Sequence, residues 1–237
     1  MRPYWVSSDG RLVIYHGDSR EIVPTLDTAG MLLLADPPYG IGHPTNYGER
    51  GRGLASKRFP MPSHNYPPVY GDDRPFDPRW LLDVGAARIL WGANYYAHLL
   101  SPRSGWLVWD KECPDSIDQS TCELAWTDCV KGVRRFRHLW HGMARAVHEP
   151  FLHPTQKPIA LMRWCMTLRW TSGYERVLDP YMGSGPVLLA AMSLGRQAIG
   201  IEIDERYAEV AAKRLEDPPL LTAIGIEQSR MFAEGGG

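Results

Sequence analysis

Two short stretches carry residues whose types and spacing could do chemistry. ADPPYG, residues 35–40, ends the apolar run Met31-Leu32-Leu33-Leu34-Ala35 in an aspartate, two prolines, a tyrosine and a glycine. Proline fixes its own φ. The corner therefore holds the Asp36 carboxylate, the carbonyls of Pro37 and Pro38 and the Tyr39 ring in a rigid relation. LDPYMGSGP, residues 178–186, also leaves an apolar run, and Gly183 and Gly185 bracket Ser184 there. Glycines at such a turn permit a tight bend and let backbone approach a ligand closely. Glu202, in GIEID, follows at about the 20-residue distance at which nucleoside-binding βαβ units place the acceptor of a ribose hydroxyl. The turn lacks GxGxxG and has no phosphate-loop lysine, so the ligand reads as a nucleoside without a pyrophosphate. The same glycines and Ser184 also suit a plain helix N-cap, and Pro186 fits the first helical position on either reading.

Those residues must be positioned by strands and helices. RLVIYHGD, a short helical stretch over 19–26 and MLLLADPPYG read as strand, helix, strand, and the second strand is apolar on both faces, as in a buried parallel sheet. Residues 40–75 are rich in Gly and Pro without apolar periodicity and read as a long loop. ARILWGANYY and GWLVWDK are further strands. CELAWTDC and VRRFRHLW alternate and are expected to pair as an antiparallel hairpin. The last third predicts a helix near 157–171, strand RVLDPY, a helix over 185–194, strand QAIGIEI and a helix over 204–215. The whole is one α/β domain over 1–237, a doubly wound sheet, mostly parallel with one antiparallel hairpin.

The chain has 237 residues, 44% hydrophobic and 22% charged, with a net charge of −1. That balance excludes a globally basic nucleic-acid binder, so any polyanion site must come from local clustering. Cys113, Cys122, Cys129 and Cys165 form no CxxC pair and His138 and His141 are a lone HxxH, so no metal site is expected. No leader and no membrane span is expected, and a cytoplasmic protein is.

DPPYG, HPTQKP (153–158), DPYMGSGP and GIEID, in that order, resemble the β-class DNA amino-methyltransferases, which use S-adenosyl-L-methionine and carry their catalytic motif before their cofactor motif. The resemblance runs from Tyr15 to Tyr207, and WGANYY, WLVWDK and CELAWT resemble the compact, phage-like branch. It implies a Rossmann-like methyltransferase sheet and transfer of a methyl group to the exocyclic amine of adenine in double-stranded DNA. The same chemistry on the cytosine amine or on RNA, or a DNA-binding regulator without turnover, are the alternatives.

By that resemblance Asp36, Pro37, Pro38 and Tyr39 are catalytic: Asp36 and the Pro37 carbonyl accept the two N–H groups of a flipped-out amine, and Tyr39 stacks on the base. Asp18, Asp36, Asp179, Tyr181, Gly183, Ser184, Gly185, Glu202 and Ile203 would surround the cofactor, with Asp18 equally suited to a helix N-cap. Thr155 and Lys157 resemble the segment that reaches the cofactor's carboxylate. The family usually reads Phe and Thr where Tyr181 and Pro186 stand. With no separate recognition domain, the stretches 40–75 and 111–150 are left to read DNA. Arg50, Arg52, Lys57 and Arg58 in the first, and Lys131, Arg134, Arg135, Arg137, His141 and Arg145 in the second, suit phosphate contacts or a solvated strand face. The tryptophan-rich middle offers apolar surface for a two-fold homodimer.

Overall fold

A computed structural model describes residues 1–45, 66–115, 120–141, 144–145, 149 and 152–217. Its centre is a nine-stranded sheet. In chain order the strands are β1 (Trp5–Val6), β2 (Leu12–His16), β3 (Leu32–Ala35), β4 (Ala87–Trp91), β5 (Trp106–Asp110), β6 (Cys122–Thr127), β7 (Val133–Arg137), β10 (Arg176–Asp179) and β11 (Gln197–Glu202). The two-residue strands β8 (Trp140–His141) and β9 (Ala144–Arg145) pair separately. The order across the large sheet is β1-β2-β11-β10-β3-β4-β6-β5-β7.

From β2 to β4 every pairing is parallel. All four residues of β3 are buried, because a parallel strand is covered on both faces. The helices α2 (Ile159–Thr167), α3 (Pro186–Ser193) and α4 (Glu205–Glu216) cover one face, in a core with Leu32, Leu34, Ile89 and Val177. The other face is covered by α1 (Ser19–Ile22) and the single 3-10 turns at 23–25 and 79–81, around Leu33, Leu90 and Leu178. Burying a leucine of this kind contributes about 1.5–3 kcal/mol.

The sequence expectations hold for the doubly wound sheet and fail in one pairing. β6 and β7 do not form a hairpin; they flank β5, β6 antiparallel to it and β7 parallel. β6 also pairs antiparallel with β4. Alternation in VRRFR did fix its faces: Arg134 and Phe136 turn inward while Val133, Arg135 and Arg137 are exposed. The helix expected over 157–171 ends at Thr167, where Leu168 turns extended and the Thr171 hydroxyl donates to the Cys165 carbonyl at 2.6 Å. The helix expected over 19–26 tightens to a 3-10 turn at Val23, as Pro24 has no N–H to continue it. In the tryptophan-rich middle of the chain, Trp91, Trp109 and Trp126 are buried.

Candidate active site

Four adjacent parallel strands, β2, β11, β10 and β3, deliver a carboxylate at or just beyond their carboxyl ends: Asp18, Glu202, Asp179 and Asp36. Between β10 and β3 the connectivity reverses. β10 leads through α3 to β11 on one side, and β3 leads to β4 on the other. Open α/β sheets bind ligands in the crevice at such a switch point.

On the β3 side the DPPYG corner is stapled from below. The buried Asp72 carboxylate accepts from the backbone N–H groups of Gly40 (2.8 Å), Ile41 (3.2 Å) and His43 (2.6 Å). Gly40 has φ +75°, and a β-carbon there would lie 2.3 Å from the Arg74 carbonyl oxygen, so glycine is required. The Tyr39 hydroxyl donates to Asp36 Oδ1 at 2.6 Å, and the ring of Tyr95 stacks on Tyr39 with centroids 5.1 Å apart.

Lys157 lies inside this corner. Its side chain is 5% exposed, and Nζ donates to Asp36 Oδ2 at 2.7 Å and to the Tyr39 hydroxyl at 3.1 Å. Glu123, on β6, stands 3.2 Å from the same ammonium and 2.7 Å from Lys111 Nζ. Burial raises the Asp36 carboxyl above its ordinary value against the pull of Lys157. Burial also opposes ionisation of Glu123, but Lys157 and Lys111 together outweigh it and hold its carboxyl down at about 2. The Lys157 ammonium loses solvation on burial, yet Asp36 and Glu123 raise its pKa. Lys157 is thus no solvated lysine at a helix start. Glu123, Lys111 and Asp72 carry no local motif and were missed in the sequence; the pairing of β5 and β6 brings Lys111 and Glu123 here, and a loop that folds back onto the corner brings Asp72.

On the β10 side, Glu202 Oε2 accepts from the Gly183 N–H and Oε1 from the Asp204 N–H, both at 2.9 Å. Gly183 has φ +49°, and a β-carbon there would come within 3.4 Å of the His153 ring. Gly185, not Ser184, caps α3, in the left-handed region at φ 79°. The Ser184 hydroxyl instead donates to Gln156 Oε1 at 3.2 Å, which ties the glycine turn to the residue beside Lys157. Arg214 donates to the Ser184 carbonyl at 2.6 Å. Burial pushes both Asp179 and Glu202 up.

The remaining expected residues fall as follows. Asp18 caps α1 by accepting from Arg20 N at 2.8 Å. The Ile203 carbonyl lies 3.2 Å from His16 Nε2, and Thr155 contacts His153 Nδ1. Tyr181 packs edge-on to Phe76 and Trp80. The basic set does not form one patch. Arg134 stacks on Trp170 with 4.8 Å to the ring centroid, at the amino end of β7 and away from the crevice. Arg137, at the carboxyl end, pairs with Asp110 at 3.2 Å. Arg50, Arg52, Lys57 and Arg58 lie outside the described residues, as do the side chains of His141 and Arg145. Among the described residues no group of His, Cys, Asp and Glu is arranged to hold a metal ion, and no helix is long and apolar enough to cross a membrane.

Known proteins resemble this chain in sequence and in fold. Residues 108–213 match the family model described as DNA methylase. The type II methyltransferase M.ScaI of Streptomyces caespitosus is 26% identical over 265 residues, covering 91% of this chain and 84% of that protein. M2.LlaDCHI of Lactococcus lactis subsp. cremoris is 24% identical, covering 90% and 92%. M2.DpnII of Streptococcus pneumoniae is 35% identical over 85 residues, a match spanning 31% of that protein. Among solved structures, the PvuII DNA methyltransferase (cytosine-N4-specific) shares the fold at a TM-score of 0.60 and 14% identity, covering 94% of each chain.

Proposed function

We propose that this chain, a relative of the type II DNA methyltransferases, transfers a methyl group from S-adenosyl-L-methionine to the exocyclic amine of adenine in double-stranded DNA. One observation carries the reading: the Asp36 corner and the Glu202-held glycine turn flank the same switch point, on the adjacent parallel strands β3 and β10. A hydrogen-bond acceptor for an amine and a nucleoside cradle therefore share one crevice.

The residues suit the cofactor. Asp18, Asp179 and Glu202 offer carboxylates for an ammonium group and ribose hydroxyls, and Gly183 opens the turn to close approach. When bound, S-adenosyl-L-methionine supplies an activated methyl on a cationic sulfur. The chain's part is to prepare the amine, whose lone pair is delocalised into the base. Asp36 accepts one N–H and the Pro37 carbonyl the other, which favours a pyramidal nitrogen with its lone pair free. Tyr39 stacks on the base, extruded from the duplex at a few kcal/mol. After transfer the nitrogen holds one proton too many, and the Asp36 carboxylate takes it. Positioning and electrostatics do most of the work.

Adenine rather than cytosine rests on the DPPY reading, and Lys131, Arg135 and Arg137 are exposed cations suited to phosphate contact, Arg137 beside its pairing with Asp110. A two-fold homodimer in the cytoplasm remains part of this reading because specific DNA interfaces bury about 1,000–2,500 Å² of protein. Light scattering tests it, and a fully active species near the 26.8 kDa of one chain removes it. Incubation with tritiated S-adenosyl-L-methionine and plasmid DNA, followed by nucleoside analysis, tests the function. Label in N6-methyladenine is expected. Label in N4-methylcytosine reassigns the base, and unlabelled DNA rejects the reading.

A further inference from the structure

Both oxygens of the Asp36 carboxylate are already engaged within the protein, Oδ1 by the Tyr39 hydroxyl and Oδ2 by Lys157. A carboxylate oxygen has two lone pairs, so a base N–H can be accepted beside these donors or can take the lone pair that one of them now holds; in the second case that donor must move. Lys157 is the charged one of the two, 2.7 Å from Oδ2, and it is too deeply buried to retreat into water. A buried ammonium without a partner is strongly disfavoured. Its only route is toward another anion.

Glu123 stands where that anion is needed. β6 runs antiparallel to β4, so the start of β6 lies at the same edge of the sheet as the carboxyl end of β3. Glu123, the second residue of β6, meets Lys157 there at 3.2 Å. Its other oxygen is held by Lys111 at 2.7 Å, which fixes the carboxylate in orientation. Asp36, Glu123, Lys111 and Lys157 carry two charges of each sign. Lys157 can therefore pass from one carboxylate to the other without any proton moving.

We propose that Glu123 is a positioning residue for methyl transfer: it receives Lys157 when the target amine takes the Asp36 oxygen that Lys157 now holds. The proposal rests on the methyltransferase reading above. It makes the lysine a plug that fills the amine site of the free protein, and Glu123 the place where the plug is parked.

The test is a double-mutant cycle on Glu123→Gln, Lys157→Met and the pair together. The readouts are the single-turnover rate of methyl transfer at saturating DNA and S-adenosyl-L-methionine, and the Kd for S-adenosylhomocysteine. Glu123→Gln is expected to slow transfer about 10- to 100-fold while the Kd changes by less than about threefold. With Lys157 already removed there is nothing to park, so adding Glu123→Gln is expected to cost less than about threefold. Glu123→Asp, which keeps the carboxylate, is expected to recover most of the rate and serves also if the glutamine variant folds poorly. Losses that multiply in the double variant, or a full rate in Glu123→Gln, overturn the proposal. A wild-type protein that transfers no methyl to DNA overturns the functional reading itself, a result distinct from either.

Discussion

Gly92, just beyond β4, lies against the ring of Tyr39 so closely that a β-carbon at residue 92 would fall 1.9 Å from Cε1. The glycine is also in the left-handed region, with φ +70°. Two independent reasons therefore exclude a side chain there. Gly92→Ala is expected to push the ring away from Asp36 and to destabilise the fold by about 2–5 kcal/mol, strain and clash together. That is roughly 2–4 °C of melting temperature per kcal/mol for a chain of this size. In a Tyr39→Ala background the clash is gone and only the backbone strain of about 1–2 kcal/mol remains. Thermal melts of the four proteins measure the difference, and equal losses in both backgrounds would contradict the packing.

Asp36→Ala is expected to lower methyl transfer by about 10²–10⁴-fold or more, the range for losing a positioned proton acceptor. Cofactor affinity is expected to change by less than about tenfold, or 1.4 kcal/mol. Lys157 keeps Glu123 as a partner in the variant, so the fold survives. Single-turnover kinetics and calorimetry separate the two quantities; a variant that turns over at the normal rate removes Asp36 from the chemistry.

Glu202→Ala takes away the acceptor for the Gly183 and Asp204 N–H groups as well as the proposed ribose contact. Cofactor binding is expected to weaken by about 1–3 kcal/mol, the cost of unsatisfied polar partners. Titration calorimetry with S-adenosylhomocysteine checks this, and an unchanged Kd assigns Glu202 to the turn alone.

His153 is expected to stay neutral in the folded protein well below pH 6.5. Burial, with Lys157 adding to it, pulls its imidazole down to about 4. Nδ1 also accepts from the Thr155 backbone N–H, a bond that a proton on Nδ1 would end. A folded-state pKa below the unfolded value stabilises fully above pH 6.5, and that stability is lost as pH falls through 6.5 toward 4. Asp36, Asp179 and Glu202, all raised, pull the other way, so the informative quantity is a difference. Between pH 7 and 5 the wild type is expected to lose roughly 2 kcal/mol more than His153→Gln. Parallel melting curves for the two proteins over that window would refute it.

Asp36, Asp179, Gly183 and Glu202 were legible in the sequence because each sits in a strand-to-turn segment whose neighbours define its geometry. Lys157 was legible as a charge but not as the partner of Asp36. Glu123 was illegible because its role depends on which strand lies next to which, and Asp72 because a loop residue gives no sign of which turn it will fold back to meet. A single acid in CELAWT becomes part of the site only because β6 inserts between β4 and β5. The same insertion defeated the expected β6–β7 hairpin, since alternation reveals the faces of a strand and not its neighbours. Trp91, Trp109 and Trp126 read as core or interface and are core, a distinction composition does not make.

The pairing of β2 with β11 has a consequence in time. His16 and Ile203, which meet at the carboxyl ends of β2 and β11, are 187 residues apart. At about 5–20 residues per second of synthesis, β11 follows β2 by roughly 10–40 s. During that interval β2 has only the two-residue β1 as a possible neighbour, and one of its edges is open. The β2–β11 edge therefore forms late relative to β2, and a nascent chain halted before β11 presents an apolar strand to chaperones instead of a finished sheet.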